Sequence, residues 1–170
     1  MDLQSTIRPI PDFPQPGILF RDITTLLQNP AALSSAIAGM TYHCQTLEAE
    51  IIVGIESRGF LFGPAIAQQL NIGFVPVRKP GKLPAATYQV SYDLEYGSDT
   101  LEVHQDAFTE GMKAVIVDDL IATGGTAAAA AKLVQKAGAT VVGFSFLIEL
   151  VDLKGRSHLP QVPIETLISY

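Results

Sequence analysis

Residues 115–126, V-I-V-D-D-L-I-A-T-G-G-T, constrain the fold of this chain more than any other stretch. Residues 115–117 are three consecutive β-branched side chains, which favour a strand buried on both faces. The strand is predicted to end on two carboxylates, Asp118 and Asp119. A turn of small residues follows, and then an alanine-rich run, residues 127–131, which predicts a helix. The order strand, acids, glycine turn and helix indicates an α/β protein.

The turn between the acids and the helix has the composition of a phosphate site. Glycines allow a tight turn with several N–H groups exposed, and the first helical turn adds unpaired N–H groups and a positive dipole end. Asp118 and Asp119, at the carboxyl end of the strand, are expected to face the same crevice as acceptors for hydroxyls or a metal. A ribose 5-phosphate satisfies both halves. The candidate phosphate-binding residues are Ala122, Thr123, Gly124, Gly125 and Thr126.

Other interpretations of this stretch were weighed. A plain βα turn with solvated acids remains open, although two adjacent carboxylates after a buried strand are unusual. A P-loop requires a lysine after its second glycine, and a dinucleotide fingerprint requires G-x-G-x-x-G, so neither nucleotide motif is present.

The wording V-D-D-L-I-A-T-G-G-T resembles the phosphoribosyl pyrophosphate (PRPP) motif of the type I phosphoribosyltransferases, and in particular that of the adenine phosphoribosyltransferases. Further segments resemble that family in the same order along nearly the whole chain. They are P-D-F-P-Q-P-G, E-S-R-G-F-L-F-G-P, R-K-P-G-K-L-P, L-E-Y-G and L-K-G-R. The resemblance implies a type I phosphoribosyltransferase fold, with a small N-terminal hood or strap and a flexible lid loop.

Composition sets limits on the class of protein. A chain of 170 residues, 48% of them hydrophobic, is expected to form one globular domain over residues 1–170. A net charge of −6 argues against general binding to nucleic acid or anionic membranes. Cys44 is the only cysteine, and the N-terminal region lacks the apolar core of a leader or membrane span. We therefore expect a cytoplasmic protein with no disulfide framework.

The order of apolar and turn residues predicts an open, mostly parallel sheet flanked by helices, with its site at the carboxyl ends of the strands. Residues 1–8 are compatible with a short helix, and the prolines after it predict an extended strap. Residues 100–104 are expected to pair antiparallel with the central strand. Helices are predicted at residues 30–47, 64–70 and from 127, and strands at 51–55, 74–77, 100–104, 115–117, 141–150 and the C-terminus.

The strap and the second βα turn contain the next candidates. From the pattern alone, Phe20 is as consistent with a core aromatic as with a ligand-binding one. The resemblance implies that the segment P-G-I-L-F-R-D covers a purine, with Phe20 stacked on it and Arg21 beside it. In E-S-R-G-F, Arg58 presents a fork of donors suited to phosphate oxygens, although a solvated turn arginine remains possible. The resemblance implies a pyrophosphate loop, in which the bond between Glu56 and Ser57 is often a cis peptide.

Residues 78–99 are predicted to be a long irregular excursion, and loops of that length are usually functional. Its basic residues, Arg78, Lys79 and Lys82, suit a pyrophosphate group. The segment ends in L-E-Y-G, where the resemblance implies purine contacts for Glu95 and Tyr96. Glu95 is a candidate proton donor or acceptor, with an ordinary acid before a turn glycine as the alternative.

The resemblance implies conversion of adenine and PRPP to AMP and pyrophosphate in a homodimer, with Mg²⁺ on the diphosphate of the substrate and no direct protein ligand to it. Asp118 and Asp119 then hold ribose hydroxyls. Two other classes are considered: a nucleotide-sensing regulator that keeps this fold, and an enzyme for hypoxanthine, guanine or xanthine. The combination of P-G-I-L-F-R-D with L-E-Y-G favours adenine.

Overall fold

The computed structural model describes residues 2–93 and 97–170. The chain divides into two compact units, Met1–Gly39 and Met40–Tyr170, and the boundary falls within a long helix. In the described residues no helix combines the length and the apolar character needed to cross a membrane.

An antiparallel hairpin forms the centre of the N-terminal unit. Residues 2–8 contain one 3-10 turn, Gln4–Thr6, instead of the predicted helix, and the chain is extended from Arg8 onward. The extended strap is confirmed, since Arg8 pairs opposite Asp22 across the hairpin. The elements of this unit are the 3-10 helix Gln4–Thr6, strands β1 (Arg8–Pro11) and β2 (Leu19–Asp22), helix α1 (Thr24–Gln28) and the start of α2 (Pro30–Thr46).

Helix α2 begins where the sequence indicates. The side-chain oxygen of Asn29 accepts the N–H groups of Ala31 and Ala32 at 3.0 and 3.1 Å, which caps the helix. Proline at the first helical position needs no hydrogen-bond partner there. Cys44, near the end of the helix, is fully buried, and burial raises the pKa of its thiol to about 12.

The second unit contains a five-stranded sheet and a separate hairpin. The strands of the sheet are β3 (Ile51–Ile55), β4 (Gly73–Val77), β7 (Lys113–Ile121), β8 (Thr140–Glu149) and β9 (Ile164–Ser169), and those of the hairpin are β5 (Thr87–Asp93) and β6 (Ser98–His104). All neighbouring strands of the sheet are parallel, in the order β4-β3-β7-β8-β9, which confirms the predicted open parallel sheet. The helices of the second unit are α3 (Gly63–Leu70) and α4 (Gly125–Lys136), with 3-10 helices Arg58–Leu61, Val151–Leu153 and Gly155–His158.

Both faces of this sheet are covered, which explains its continuous apolar strands. Strand β3 is buried at every position. On one face, alternate residues such as Ile116 of β7 join a core with the alanines of α4 and the stacked rings of Phe144 and Phe146. On the other face, the ring of Phe74 lies against Gly54 and Gly63, where a side chain would clash with it. Helix α3 can approach β3 closely for this reason.

The pairing predicted for residues 100–104 is wrong. Strand β6 pairs antiparallel with β5, from Thr87 opposite His104 to Asp93 opposite Ser98, and β7 pairs only with β3 and β8. Residues 87–93, 98 and 99 of the predicted irregular excursion therefore belong to a β-hairpin. The sequence of β5, T-Y-Q-V-S-Y-D, alternates as a strand does, whereas the prolines and glycines that flank it favour an irregular segment.

Candidate functional site

The strand order reverses between β3 and β7. After β3 the chain moves outward to β4, whereas after β7 it moves in the opposite direction to β8 and then β9. In open parallel sheets the ligand crevice lies outside the carboxyl ends of the strands at such a reversal. Residues 56–59 follow the end of β3, and residues 118–126 comprise the end of β7 and the loop after it. Both segments contain candidate residues that the sequence predicts.

The glycine loop, residues 122–126, encloses a crevice after β7. A cavity of about 210 Å³ is lined by Asp118 and by every residue of the loop. Gly124 has φ +85°, in the left-handed region that glycine adopts without strain. In the described chain no side chain caps the N-terminus of α4 at Gly124, so the first-turn N–H groups of this helix remain available to an anion.

The two acids lie within the central strand instead of after it. Strand β7 continues to Ile121 because β8 offers it partners up to Glu149, opposite Ile121. Asp118 and Asp119 are consequently buried, at 6% and 4% exposure. The prediction that the strand ends at these acids was wrong, and their carboxylates are less hydrated than expected.

Asp118 is held from the neighbouring β3 turn. The Ser57 hydroxyl donates to Oδ1 of Asp118 at 2.6 Å, and the Asp119 N–H donates to the same oxygen at 2.9 Å. Burial, followed by the charge of Asp119, raises the pKa of Asp118 well above its ordinary value. Gly59 packs against this carboxyl so closely that a methyl group there would lie 2.2 Å from Oδ1. The β3 turn and the β7 acids therefore form one structure.

Asp119 makes a different contact from that of Asp118. Its Oδ2 lies 2.7 Å from Nη2 of Arg58, in an ion pair whose side chains are 6% and 32% exposed. Arg58 and Asp119, which the sequence assigned to opposite ends of a substrate, are thus adjacent. In the described residues Phe13–Pro14 is the only cis peptide, so the bond between Glu56 and Ser57 is trans.

The basic residues after β4 gather around Glu56. Arg78 contacts both carboxylate oxygens of Glu56 at 3.2 Å, and the Lys79 N–H donates to Oε2 at 2.8 Å. The Lys79 N–H first, and the Arg78 guanidinium after it, lower the pKa of Glu56. The Lys79 ammonium also pairs with Asp99, while Lys82 is exposed.

The β5–β6 hairpin lies along α4. The Tyr92 hydroxyl is 3.4 Å from the hydroxyl of Thr126 in the glycine loop, and Lys136 of α4 lies over the ring of Tyr88. A cavity of about 380 Å³ lies between the hairpin and α4. Glu95 and Tyr96 fall outside the described residues, so their assignment stays a prediction.

Comparisons with known proteins identify the family. Residues 22–161 match the model of the phosphoribosyl transferase domain. An adenine phosphoribosyltransferase from Nostoc punctiforme is 62% identical over 174 residues, covering 100% of both chains. The chain belongs to the adenine phosphoribosyltransferases.

Two solved adenine phosphoribosyltransferases show the same fold. The enzyme from Thermoanaerobacter pseudethanolicus superposes with a TM-score of 0.96 at 48% identity, covering 99% of this chain and 98% of the other. The Saccharomyces cerevisiae enzyme, complexed with adenine and D-2,5-dideoxy-2,5-imino-altritol 1,6-bisphosphate, gives 0.91 at 44% identity, covering 96% and 94%. The fold predicted from the resemblance is confirmed.

Two of the candidate purine residues, Phe20 and Arg21, belong to the N-terminal unit. Phe20 lies in β2, and its ring packs edge-on against that of Phe13 with centroids 5.1 Å apart. Arg21 lies opposite Pro9 in the hairpin. Both side chains are partly buried. Their roles toward a purine stay a prediction.

Two polar residues of the β3 turn, Glu56 and Ser57, make contacts that the sequence did not predict. Glu56 collects the basic side chains, and Ser57 binds Asp118. Parallel pairing of β3 with β4 places Ile55 beside Val77, so Glu56 must lie near Arg78. That register, inferred from two adjacent βα units, was the signal that could have found Glu56.

Proposed function

We propose that the chain transfers the 5-phosphoribosyl group from PRPP to adenine and forms AMP and pyrophosphate, a reaction of purine salvage. The observation that carries this proposal is the cavity shared by Asp118 and the glycine loop, at the reversal of strand order. It offers a carboxyl for sugar hydroxyls on one side and unpaired helix N–H groups for a phosphate on the other.

Phosphoribose binding is assigned to these groups. Ala122, Gly124 and Gly125 supply backbone N–H groups to the 5-phosphate, and the hydroxyls of Thr123 and Thr126 add donors. Asp118 and Asp119 hold the ribose hydroxyls. A negative charge on the acids stabilises the positive charge that develops on the ribose ring as the bond to pyrophosphate breaks.

The leaving group carries the opposite charge and needs cations. Arg58 lies at the turn after β3, and Arg78, Lys79 and Lys82 follow β4, the next strand of the sheet. These four side chains provide positive charge at this end of the site, although the net charge of the chain is −6. Because Arg58 pairs with Asp119 and Arg78 with Glu56, substrate phosphates compete with carboxylates for both arginines. The carboxylates hold the guanidinium groups in place before the substrate arrives.

Adenine binding is assigned to Phe20, Arg21 and Tyr96, and proton exchange with the base to Glu95. The complex of the yeast relative with adenine and a bisphosphate supports a site that takes a purine together with a phosphorylated sugar analogue. An aromatic ring such as that of Phe20 offers a face on which a purine can stack.

Mg²⁺ is proposed as the cofactor, carried by the diphosphate of PRPP. The described residues contain no group of three histidine, cysteine or acidic side chains placed to hold a metal. Mg²⁺ is usually bound through one or two carboxylates and substrate phosphates, and Asp118, which Asp119 follows in β7, lines the same cavity as the glycine loop. The residues therefore fit an ion bound chiefly by substrate. When bound, it supplies positive charge to the leaving diphosphate.

A homodimer and a cytoplasmic location complete the proposal. Tyr42 and Leu61 are 66% and 53% exposed, and they offer apolar surface that a second copy would cover. The lone, buried thiol of Cys44 fits a reducing compartment. Light scattering on the purified chain tests the dimer, and a mass of about 18 kDa would contradict it.

Turnover of adenine with PRPP and Mg²⁺ tests the activity. We expect AMP and pyrophosphate to form in equal amounts, and hypoxanthine, guanine and xanthine to be poor substrates. Asp118→Asn serves as the low-activity variant, with the exposed surface residue Gln161 changed to alanine as the matched control. Faster turnover of another purine would reassign the substrate, and tight AMP binding without turnover would favour the regulator.

A further inference from the structure

A turn that follows β8, the strand next to β7, supports the glycine loop. The 3-10 helix Gly155–His158, here called the support turn, follows β8 and contacts residues 122–124. We infer that the support turn positions the glycine loop for the substrate phosphate, and that His158 is a positioning residue of the reaction. The inference rests on the proposed function, since it takes the glycine loop as the phosphate site.

The first contact is a close approach of two backbones. A methyl group at Gly124 would lie 2.3 Å from the carbonyl oxygen of Gly155. A methyl group at Gly155 would likewise lie 2.3 Å from the carbonyl oxygen of Ala122 and 3.1 Å from the Gly124 nitrogen. Distances below 3.0 Å are not tolerated, so both glycines are required for this packing. The loop and the support turn can therefore move only together.

The second contact is a hydrogen bond from His158. Its Nδ1 lies 2.7 Å from the carbonyl oxygen of Thr123. A carbonyl only accepts, so Nδ1 carries the proton. In a trans peptide the C=O and the following N–H point in opposite directions. By holding the Thr123 oxygen, His158 fixes the plane of that peptide and with it the direction of the Gly124 N–H.

The support turn is itself fastened to the sheet. Arg156 donates to both carboxylate oxygens of Glu149, at 2.7 and 2.6 Å, and to the carbonyl oxygen of Ile164 at 2.7 Å. Glu149 is the last residue of β8 and is 8% exposed. A paired guanidinium and carboxylate give a fixed geometry, which a single lysine contact does not. The glycine loop is thereby tied to β8 and β9 as well as to β7.

Binding and kinetics of His158→Ala test the inference. Loss of one hydrogen bond to the loop is expected to weaken AMP binding and raise the KM for PRPP by roughly 3- to 10-fold. The Kd and KM for adenine, which has no phosphate, should change less than about twofold. His158→Asn should restore most of the loss, because its amide N–H can replace Nδ1–H. The exposed variant Gln161→Ala, outside the support turn, should match the wild type.

Gly155→Ala provides a second perturbation, from the backbone side of the contact. It should raise the KM for PRPP more than that for adenine, and thermal unfolding establishes that it folds. The positioning role is wrong if the wild-type protein forms AMP but His158→Ala leaves the KM for PRPP unchanged. It is also wrong if the variant raises the KM values for PRPP and adenine by the same factor. Absence of turnover in the wild type would instead refute the proposed function.

Discussion

Replacing Arg58 by alanine removes the partner of a buried carboxylate. The ion pair is 2.7 Å long, with Asp119 only 6% and Arg58 32% exposed. Removing one partner of a buried ion pair lowers the free energy of unfolding by about 3–5 kcal/mol. Because Arg58 is partly exposed, we expect a loss of roughly 2–3 kcal/mol here. For a protein of this size, the midpoint of thermal unfolding should fall by roughly 5–10 °C. Arg58→Ala should also weaken the binding of PRPP far more than the binding of adenine.

A double variant separates the two effects of this change. Arg58→Ala with Asp119→Asn removes the unpaired charge, so most of the lost stability should return. The affinity for PRPP should not return, because the cation at the leaving group is still absent. Thermal unfolding and the two KM values measure both effects. Equal unfolding midpoints for the single and double variants, or equal weakening of both substrates, would refute the reasoning.

Three further predictions concern other parts of the molecule. Glu95→Gln should lower kcat by roughly 10²- to 10⁴-fold if Glu95 transfers a proton, and a loss below tenfold in steady-state assays would limit it to positioning. Gly59→Ala should abolish turnover at adenine saturation and lower the unfolding midpoint, because its methyl group would lie 2.2 Å from Oδ1 of Asp118; an active, stable variant would contradict that packing. The N–H of Thr24 and the side chain of Arg8 lower the pKa of Asp22 to about 2. The ionised Asp22 therefore stabilises the folded state by at most about 2 kcal/mol at a pH above its ordinary pKa of 3.8, and this stabilisation is lost as the pH falls toward 2. Acid titration of unfolding should therefore show wild type and Asp22→Asn converging at low pH, and a gap that persists would contradict the shift.

The sheet was predictable because each of its strands carries its own signal. Residues 51–55 and 115–117 are apolar on both faces, and glycines or small residues follow both strands, which together indicate buried parallel strands with βα turns. The helix starting at Pro30 was equally clear from Asn29. Patterns of this kind depend on neighbours in the sequence and require no knowledge of the final packing.

The errors have a common origin in strand pairing. Residues 100–104 were paired with the strand next along the chain, yet β6 pairs with β5, and the sequence does not state which partner a strand selects. The position of the acids was misjudged for the same reason. Strand β7 extends past Asp119 only because β8 continues beside it, and that extension buries both carboxylates.

Contacts across the crevice were also beyond the sequence. Ser57 and Asp118 are 61 positions apart, and Thr123 and His158 are 35 apart. The residue types indicated a sugar-phosphate site, but only the order of the strands shows which turns meet. The motif therefore identified the chemistry, while the topology identified Ser57, Glu56 and His158 as its supporting side chains.

Cys44 offers a way to time the opening of the molecule. It is the only thiol of the chain, it is fully buried, and its pKa of about 12 leaves almost no thiolate at neutral pH. A thiol reagent can react with it only when the packing around Cys44 opens, so the rate of labelling reports the frequency of that event. The rate of Cys44 labelling thus measures local opening in the presence and absence of AMP, without any engineered label.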